Sequence, residues 1–382
     1  MASPVSSKQI SLFLGRHRSP ASGMWVYARN MSVALTLLVE EEKLPYSLNL
    51  YVSGAESCAT ELRRALPEHL HDMIHFLGGN FPSRRLGFIG DLRLNFPGTE
   101  LIHGLCNTVP VFGGVPKVLT LHDLYQGYPF NPASSWYARL RAFWYQGMIW
   151  MYLRRAARVI TVHPHVARDV VQRYPWASSP AVIYSGLDRF FIETPLPQAD
   201  SAGEYVLILA SQDPRKNLVR MIEAVNILAE SQICRLKIVA NSLETENWVR
   251  SHLSQKAAPQ AEILRAVPAQ SMPGLYHNAR GVLFASCAEG FGFPLYEALS
   301  QGVAVVCPQS LLLSELGKDA EALIFSCDPL SVSSIVSAAR QMLVSSIDAA
   351  TRQRIAVRVR GLLAPQRIAR ELLSIYAEVL GI

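Results

Sequence analysis

The stretch SCAEGFGFPLYEALSQG, residues 286–302, sets seven residues between Glu289 and Glu297, among them a Gly-Phe-Gly and a proline. The apolar run GVLFASC (281–287) leads into it and VAVVCP (303–308) leaves it, and both read as buried strands. The glycines of the intervening loop allow backbone shapes that other residues resist. Pro294 suits the first turn of a helix and Gly302 its end. Strand, short loop, helix, strand is a βαβ unit, and it predicts a parallel sheet. A short loop running into a helix N-terminus can take a phosphate, because the first N–H groups are unused and the dipole is positive there. Glu289 then stands at the strand tip, and Glu297 falls about one turn into the helix, where a carboxylate can accept from a sugar diol. Plainer readings also fit: Glu297 offsetting the helix dipole with Glu289 a solvated loop acid, or the two as a hydrolase acid and base.

The same rhythm extends outward. QISLFLG (9–15) reads as a strand, MWVYARNMSVALTLLVEE (24–41) as a helix, and YSLNLYVSG (46–54) and KVLTLHD (117–123) as strands. ARVITVHPHVARDVVQRY (157–174) runs strand, turn, helix. A Pro-, Gly-, Asp- and Ser-rich stretch at 186–204 reads as a linker. Beyond it come YVLILAS (205–211), a helix over 217–231 and RLKIVAN (235–241), and the chain ends in helical pattern. Two doubly wound α/β domains are expected, over 1–190 and 200–365, with a ligand at the carboxyl ends of strands in the cleft between them.

Bulk properties agree. The 382 residues suit two domains, half of them are hydrophobic and 17% charged, so disorder is excluded. The net charge of +6 suits anionic small molecules or an anionic membrane surface. No dense basic run points to nucleic acid. Six dispersed cysteines without a CxxC pair read as reduced thiols. The N-terminal apolar run is too short for a signal peptide, and no window reaches the length of a membrane span. A cytoplasmic protein is expected, with peripheral contact on the cytoplasmic face of the inner membrane as an option.

The segment EGFGFPLYEALSQGVAVVCPQSLLLSEL (289–316) resembles the donor-binding region of retaining GT-B glycosyltransferases, the large bacterial mannosyltransferase-like group (group 1, family 4). SQDPRKNLVRMIEAVNIL (211–228), LTLHDL (119–124) and the stretch from 157 to VIYSGLDRFF (182–191) resemble further parts of it. The likeness covers most of the chain and is weakest over 50–100. It implies two Rossmann-like domains: the first for acceptor, the second for a nucleotide sugar, with a C-terminal helix (366–382) packing back on the first. It implies Glu289 at the donor sugar, binding and catalytic; Glu297 at the ribose; and the diphosphate at Gly292, beside Phe291.

Asp213 can cap a helix that starts at Pro214, which puts Arg215 and Lys216 in its first turn. By resemblance Lys216 neutralises the donor diphosphate. Many members carry a Gly-Arg a few residues earlier; here the stretch is LASQD, so Arg215 is the candidate substitute. His122, with Asp123 orienting it, is implied beside the donor sugar, and Gly23 in the loop after the first strand, with Arg16, His17 and Arg18, near the phosphate. His103 is a weaker candidate, and Glu315 a structural or orienting acid. No metal site is expected: no Asp-x-Asp pair stands where a divalent ion could bridge a diphosphate, and His69, His71 and His75 lack supporting acid or cysteine geometry. The stretch 137–158 mixes aromatics with arginines and reads as a core helix or as a membrane-surface helix.

The resemblance implies no cofactor, and retaining transfer of a hexosyl unit, mannose from GDP-mannose, to a growing bacterial surface glycan or lipid-linked oligosaccharide. Alternatives are a UDP-sugar transferase or epimerase on the same scaffold, and a non-catalytic partner of glycan assembly.

Overall fold

A computed structural model describes residues 7–17, 22–77, 94, 96–125, 136–196, 203–231 and 235–382. The chain divides into two compact units: Met1–Gly186 with Ala364–Ile382, and Leu187–Leu363.

The first unit is built on strands β1 (Lys8–His17), β2 (Tyr46–Gly54), β3 (Ile74–Phe76), β4 (Leu101–Gly104), β5 (Lys117–Leu121), β6 (Arg158–Thr161) and β7 (Ala181–Val182). They lie in the order β3-β2-β1-β4-β5-β6-β7 and pair in parallel throughout. Ile10, Leu12, Phe13 and Leu14 are all fully buried, which is why β1 reads as an unbroken apolar run rather than an alternating one. Near its end the register to β2 slips between Phe13 and Arg16, at Gly15 with φ +79°, and a Cβ there would press within 2.9 Å of Cys106 Cβ. Ser22 then caps helix α1 (Gly23–Glu41), its hydroxyl accepting from Trp25 N at 3.2 Å. Helices α2 (Glu56–Ala65), α3 (Trp136–Arg155) and α4 (Pro164–Arg173) follow.

The second unit holds β8 (Tyr205–Ala210), β9 (Arg235–Ala240), β10 (Ala261–Arg265), β11 (Ala279–Leu283), β12 (Ala304–Cys307) and β13 (Ile324–Ser326), in the parallel order β10-β9-β8-β11-β12-β13. Its helices are α5 (Arg189–Glu193), α6 (Leu218–Ser231), α7 (Leu243–His252), α8 (Met272–His277), α9 (Phe293–Ser300), α10 (Val332–Val344) and α11 (Ala349–Leu362). In both sheets the chain starts at a central strand, builds to one side, then crosses to the other. The switch points lie between β1 and β4 and between β8 and β11, where ligands bind in sheets of this kind.

The last helix, α12 (Pro365–Leu380), belongs to the first unit. It buries Ile368, Ala369, Leu372 and Tyr376 and packs on α1. The Tyr376 hydroxyl meets His103 Nδ1 at 2.6 Å, and His103 Nε2 meets Thr120 Oγ1 at 2.8 Å. His103 is therefore a buried tie between β4, β5 and α12.

The strand expected over 281–287 ends four residues early, at Leu283. From there the Ser286 hydroxyl and the Cys287 N–H both turn to the Arg215 carbonyl, at 2.8 and 2.7 Å, leaving the ladder to join the loop after β8. Cys58, Cys106, Cys287, Cys307 and Cys327 are free thiols, and Cys234 lies outside the described residues.

Candidate functional site

Two loops meet at the second switch point. After β8, Asp213 caps a single turn, Pro214–Lys216, its Oδ1 accepting from Arg215 N at 3.0 Å. The turn closes at Asn217 in the left-handed region, φ 57°, ψ 33°, a conformation that asparagine tolerates better than most residues. The Asn217 amide donates to the carbonyls of Ala285 at 2.8 Å and Pro329 at 2.6 Å, riveting the turn to the end of β11.

That rivet brings Lys216 to Glu289. The ammonium donates to both carboxylate oxygens, at 2.7 and 2.9 Å. Glu289 is 11% exposed and Lys216 33%, so the pair sits in a recess open on the lysine side. Arg215 turns the other way. Its guanidinium holds Asp213 through Nε at 3.1 Å and Nη2 at 2.6 Å. Burial works against the Asp213 charge, but Arg215 outweighs it and keeps the carboxyl below its ordinary range. Arg215 is therefore committed to Asp213 in this state.

The glycine loop follows. Gly292 caps α9 at φ 87°, ψ 50°, and a Cβ there would lie 3.2 Å from Leu311 Cδ1. Phe291 is buried, stacked on Tyr296 at 4.6 Å and edge-on to Phe293 at 5.2 Å. Its ring packs the loop, so what Phe291 can offer a ligand is its backbone.

Glu297 sits one turn into α9. It keeps a little solvent contact but is crowded by protein. Tyr276, fully buried on α8, donates its hydroxyl to Glu297 Oε2 at 2.5 Å. Burial is the main cause that pushes the Glu297 carboxyl up, to about 7, with the Asp188 charge adding to it and the Tyr276 hydrogen bond and Lys216 opposing. Phe191 of α5 backs the tyrosine ring edge-on at 5.4 Å. Tyr276 was not legible in the sequence, since it lies 21 residues before Glu297 on a different helix.

In the first unit, His122 follows β5 and is buried. Its Nε2–H donates to the Leu105 carbonyl at 2.8 Å, its backbone N–H to Asn107 Oδ1 at 2.6 Å, and its ring meets Tyr27 edge-on at 4.5 Å. Burial lowers its pKa to about 4 against the help of the Leu105 carbonyl, so at neutral pH it is an uncharged imidazole with Nδ1 left as acceptor. Asp123 Oδ1 accepts from Tyr125 N at 3.1 Å. His17 is also buried, Nε2 on the Leu14 carbonyl at 2.6 Å, and Gly23 opens α1 next to it. Arg18 lies outside the described residues. Glu315 follows β12 on a short turn, where its backbone carbonyl accepts from Arg358 Nε at 3.0 Å.

His69, His71 and His75 take separate partners: Glu40, the Arg63 carbonyl and Asn49. Among the described residues no three metal-capable side chains gather, and no helix is long and apolar enough to cross a membrane.

Residues 197–359 match the sequence-family model described as "Glycosyl transferases group 1", and residues 80–189 match "Glycosyltransferase Family 4". The chain belongs to the group 1/family 4 glycosyltransferases. Among curated relatives, O-antigen chain mannosyltransferase B of Escherichia coli is 33% identical over 119 residues, 30% of this chain and 31% of that protein. O-antigen chain mannosyltransferase RfbU of Salmonella typhimurium is 23% identical over 218 residues, 56% and 57% of the two chains. The chain thus spans about a third and just over half of these relatives. The crystal structure of Anabaena HepE in complex with UDP superposes with a TM-score of 0.68 at 16% identity, over 97% of this chain and 100% of that one, and carries the fold alone. The GT-B architecture of this chain, two Rossmann-like parallel sheets, accords with that likeness.

Proposed function

We propose that this chain is a retaining glycosyltransferase that moves a hexosyl unit, mannose from GDP-mannose, onto a growing bacterial surface glycan or lipid-linked oligosaccharide. The observation that carries the reading is the Lys216–Glu289 pair at the β8/β11 switch point, with Glu297 one helical turn behind it. The names of the two curated relatives support mannose and cell-surface glycan.

In this reading Lys216 and the N-terminal turn of α9, at Gly292 and Phe291, receive the donor diphosphate. They stabilise the charge that grows on it as the glycosidic bond breaks. Arg215 reinforces them once anion binding draws it from Asp213. Glu297 accepts from the ribose diol. Glu289 accepts from the donor sugar, whose hydroxyls replace the Lys216 ammonium as donors to it. Catalysis is assigned to Glu289, His122 and Asp123, with Gly23 in donor binding. No cofactor or metal takes part.

The resting ion pair gives this reading a signature. Glu289→Gln releases Lys216 from its partner while removing the acceptor for the sugar. Bare GDP should then bind at least as tightly as to the native chain, while GDP-mannose loses affinity and transfer collapses. A thermal-shift screen with GDP, UDP, ADP and their sugars, with and without EDTA, identifies the donor, since a ligand that binds only the folded chain raises its Tm. A shift with GDP that EDTA does not remove is expected. Shifts with UDP and its sugars alone would move the donor to the uridine class, and release of free sugar without glycoside would mark an epimerase.

A further inference from the structure

Helix α3, WYARLRAFWYQGMIWMYLRR, is apolar on both sides, and only one side is spent on the core. Tyr145, Met148, Ile149, Tyr152 and Leu153 are buried against the first sheet. Positions 136, 140, 143, 147, 150 and 154 recur at three and four residues and form the opposite stripe. Along it Trp136 is 76% exposed, Leu140 54%, Phe143 75% and Trp150 48%, with Trp144 at 44% on its flank. Exposed aromatics at this density are uncommon on a surface that meets only water.

The charge pattern identifies what the stripe fits. The helix carries four arginines and no acid. Arg139, Arg154 and Arg155 are exposed. Arg154 lies over two rings, 5.0 Å from Trp150 and 4.6 Å from Trp176, itself 42% exposed just beyond α4. Tryptophan with an apolar body and a polar edge, next to arginines that can reach phosphate, is the composition of the water–lipid boundary. A second protein copy would bring the same positive charge to this face and repel it. We infer that the outer stripe of α3 is a docking surface for an anionic lipid bilayer, which the helix meets lying in the plane of the headgroups. The inference deepens the reading of a lipid-linked acceptor, for it would hold the first unit where such an acceptor is found.

The test uses the full chain and sedimentation with vesicles that contain neither glycan nor nucleotide, so it does not depend on the donor site. Native protein should pellet with vesicles of equal parts phosphatidylglycerol and phosphatidylcholine, far less with phosphatidylcholine alone, and less as salt rises. Phe143→Asp with Trp136→Asp should cut the anionic partition by roughly tenfold or more at unchanged Tm, since both side chains are largely in water already. Should that variant lose its fold, native tryptophan emission must still shift to the blue on adding anionic vesicles. Absence of partition by the native chain, or equal partition by a folded variant, would overturn the proposal. So would a dimer in sizing experiments that the double variant abolishes while vesicles stay unbound.

Discussion

Glu297 is where burial and chemistry conflict most. A ribose diol needs an ionised acceptor, yet burial has raised this carboxyl to about 7. If the ionised form binds, nucleotide affinity should rise as pH passes upward through that value. The ionised fraction grows about tenfold between pH 6 and pH 8, and Kd should fall by about that factor. Calorimetric titrations at the two pH values measure it, and Glu297→Gln should flatten the dependence. The Tyr276 hydroxyl favours the ionised form, so Tyr276→Phe should move the whole profile to higher pH and weaken binding most near neutrality. A tyrosine that merely packs would lower Tm and leave the profile in place. The sequence exposed Glu297 through its spacing from Glu289, but that spacing carried no sign of Tyr276, which a separate helix brings in, or of the raised pKa, which burial in the fold causes.

Among the elements, the single turn after β8 and the C-terminal helix matter most. The Pro214–Lys216 turn was legible from Asp213 and Pro214, which cap and open it. What the residues did not disclose is direction: Arg215 folds back on Asp213 while Lys216 reaches Glu289, a division set by Asn217 in its left-handed conformation. Asn217→Ala should cost about 1–3 kcal/mol, since the carbonyls of Ala285 and Pro329 lose a donor and the left-handed backbone loses its favoured residue. Its effect on nucleotide affinity should exceed that of Arg215→Ala. The short strands β10 and β13 escaped the pattern because their residues are largely half-exposed, without the continuous apolar run that marks β1 or β8. The tie between His103 and Tyr376 also has a cost in acid. Burial holds His103 down to about 3 and His122 to about 4, so the unfolded chain takes up protons that the folded first unit refuses. Stability present above the ordinary histidine range is lost as pH falls below it, by about 2 kcal/mol per histidine at pH 5. Melting curves from pH 7.5 to 5 should show this loss, and His103→Gln should lessen the slope.

At the scale of the whole molecule, alternating apolar runs and helical patterns were enough to anticipate parallel α/β sheets, since strands buried on both faces leave an unmistakable record. Helix α3 was not resolved that way. Its composition allowed a core helix or a membrane-surface helix, and the structure puts one face in the core and leaves tryptophan and phenylalanine exposed on the other. The proposed donor site rests on a different kind of information: two loops from strands β8 and β11, some seventy residues apart in the chain, held together by backbone and amide hydrogen bonds and by the Lys216–Glu289 ion pair. That pair is the centre of the functional proposal, and titration calorimetry of GDP-mannose against the native chain and Lys216→Ala tests it most directly. Losing the cation should weaken binding by roughly thirtyfold or more, about 2 kcal/mol, with the fold intact by Tm. Equal affinity in the two proteins would contradict the placement of the donor diphosphate at Lys216.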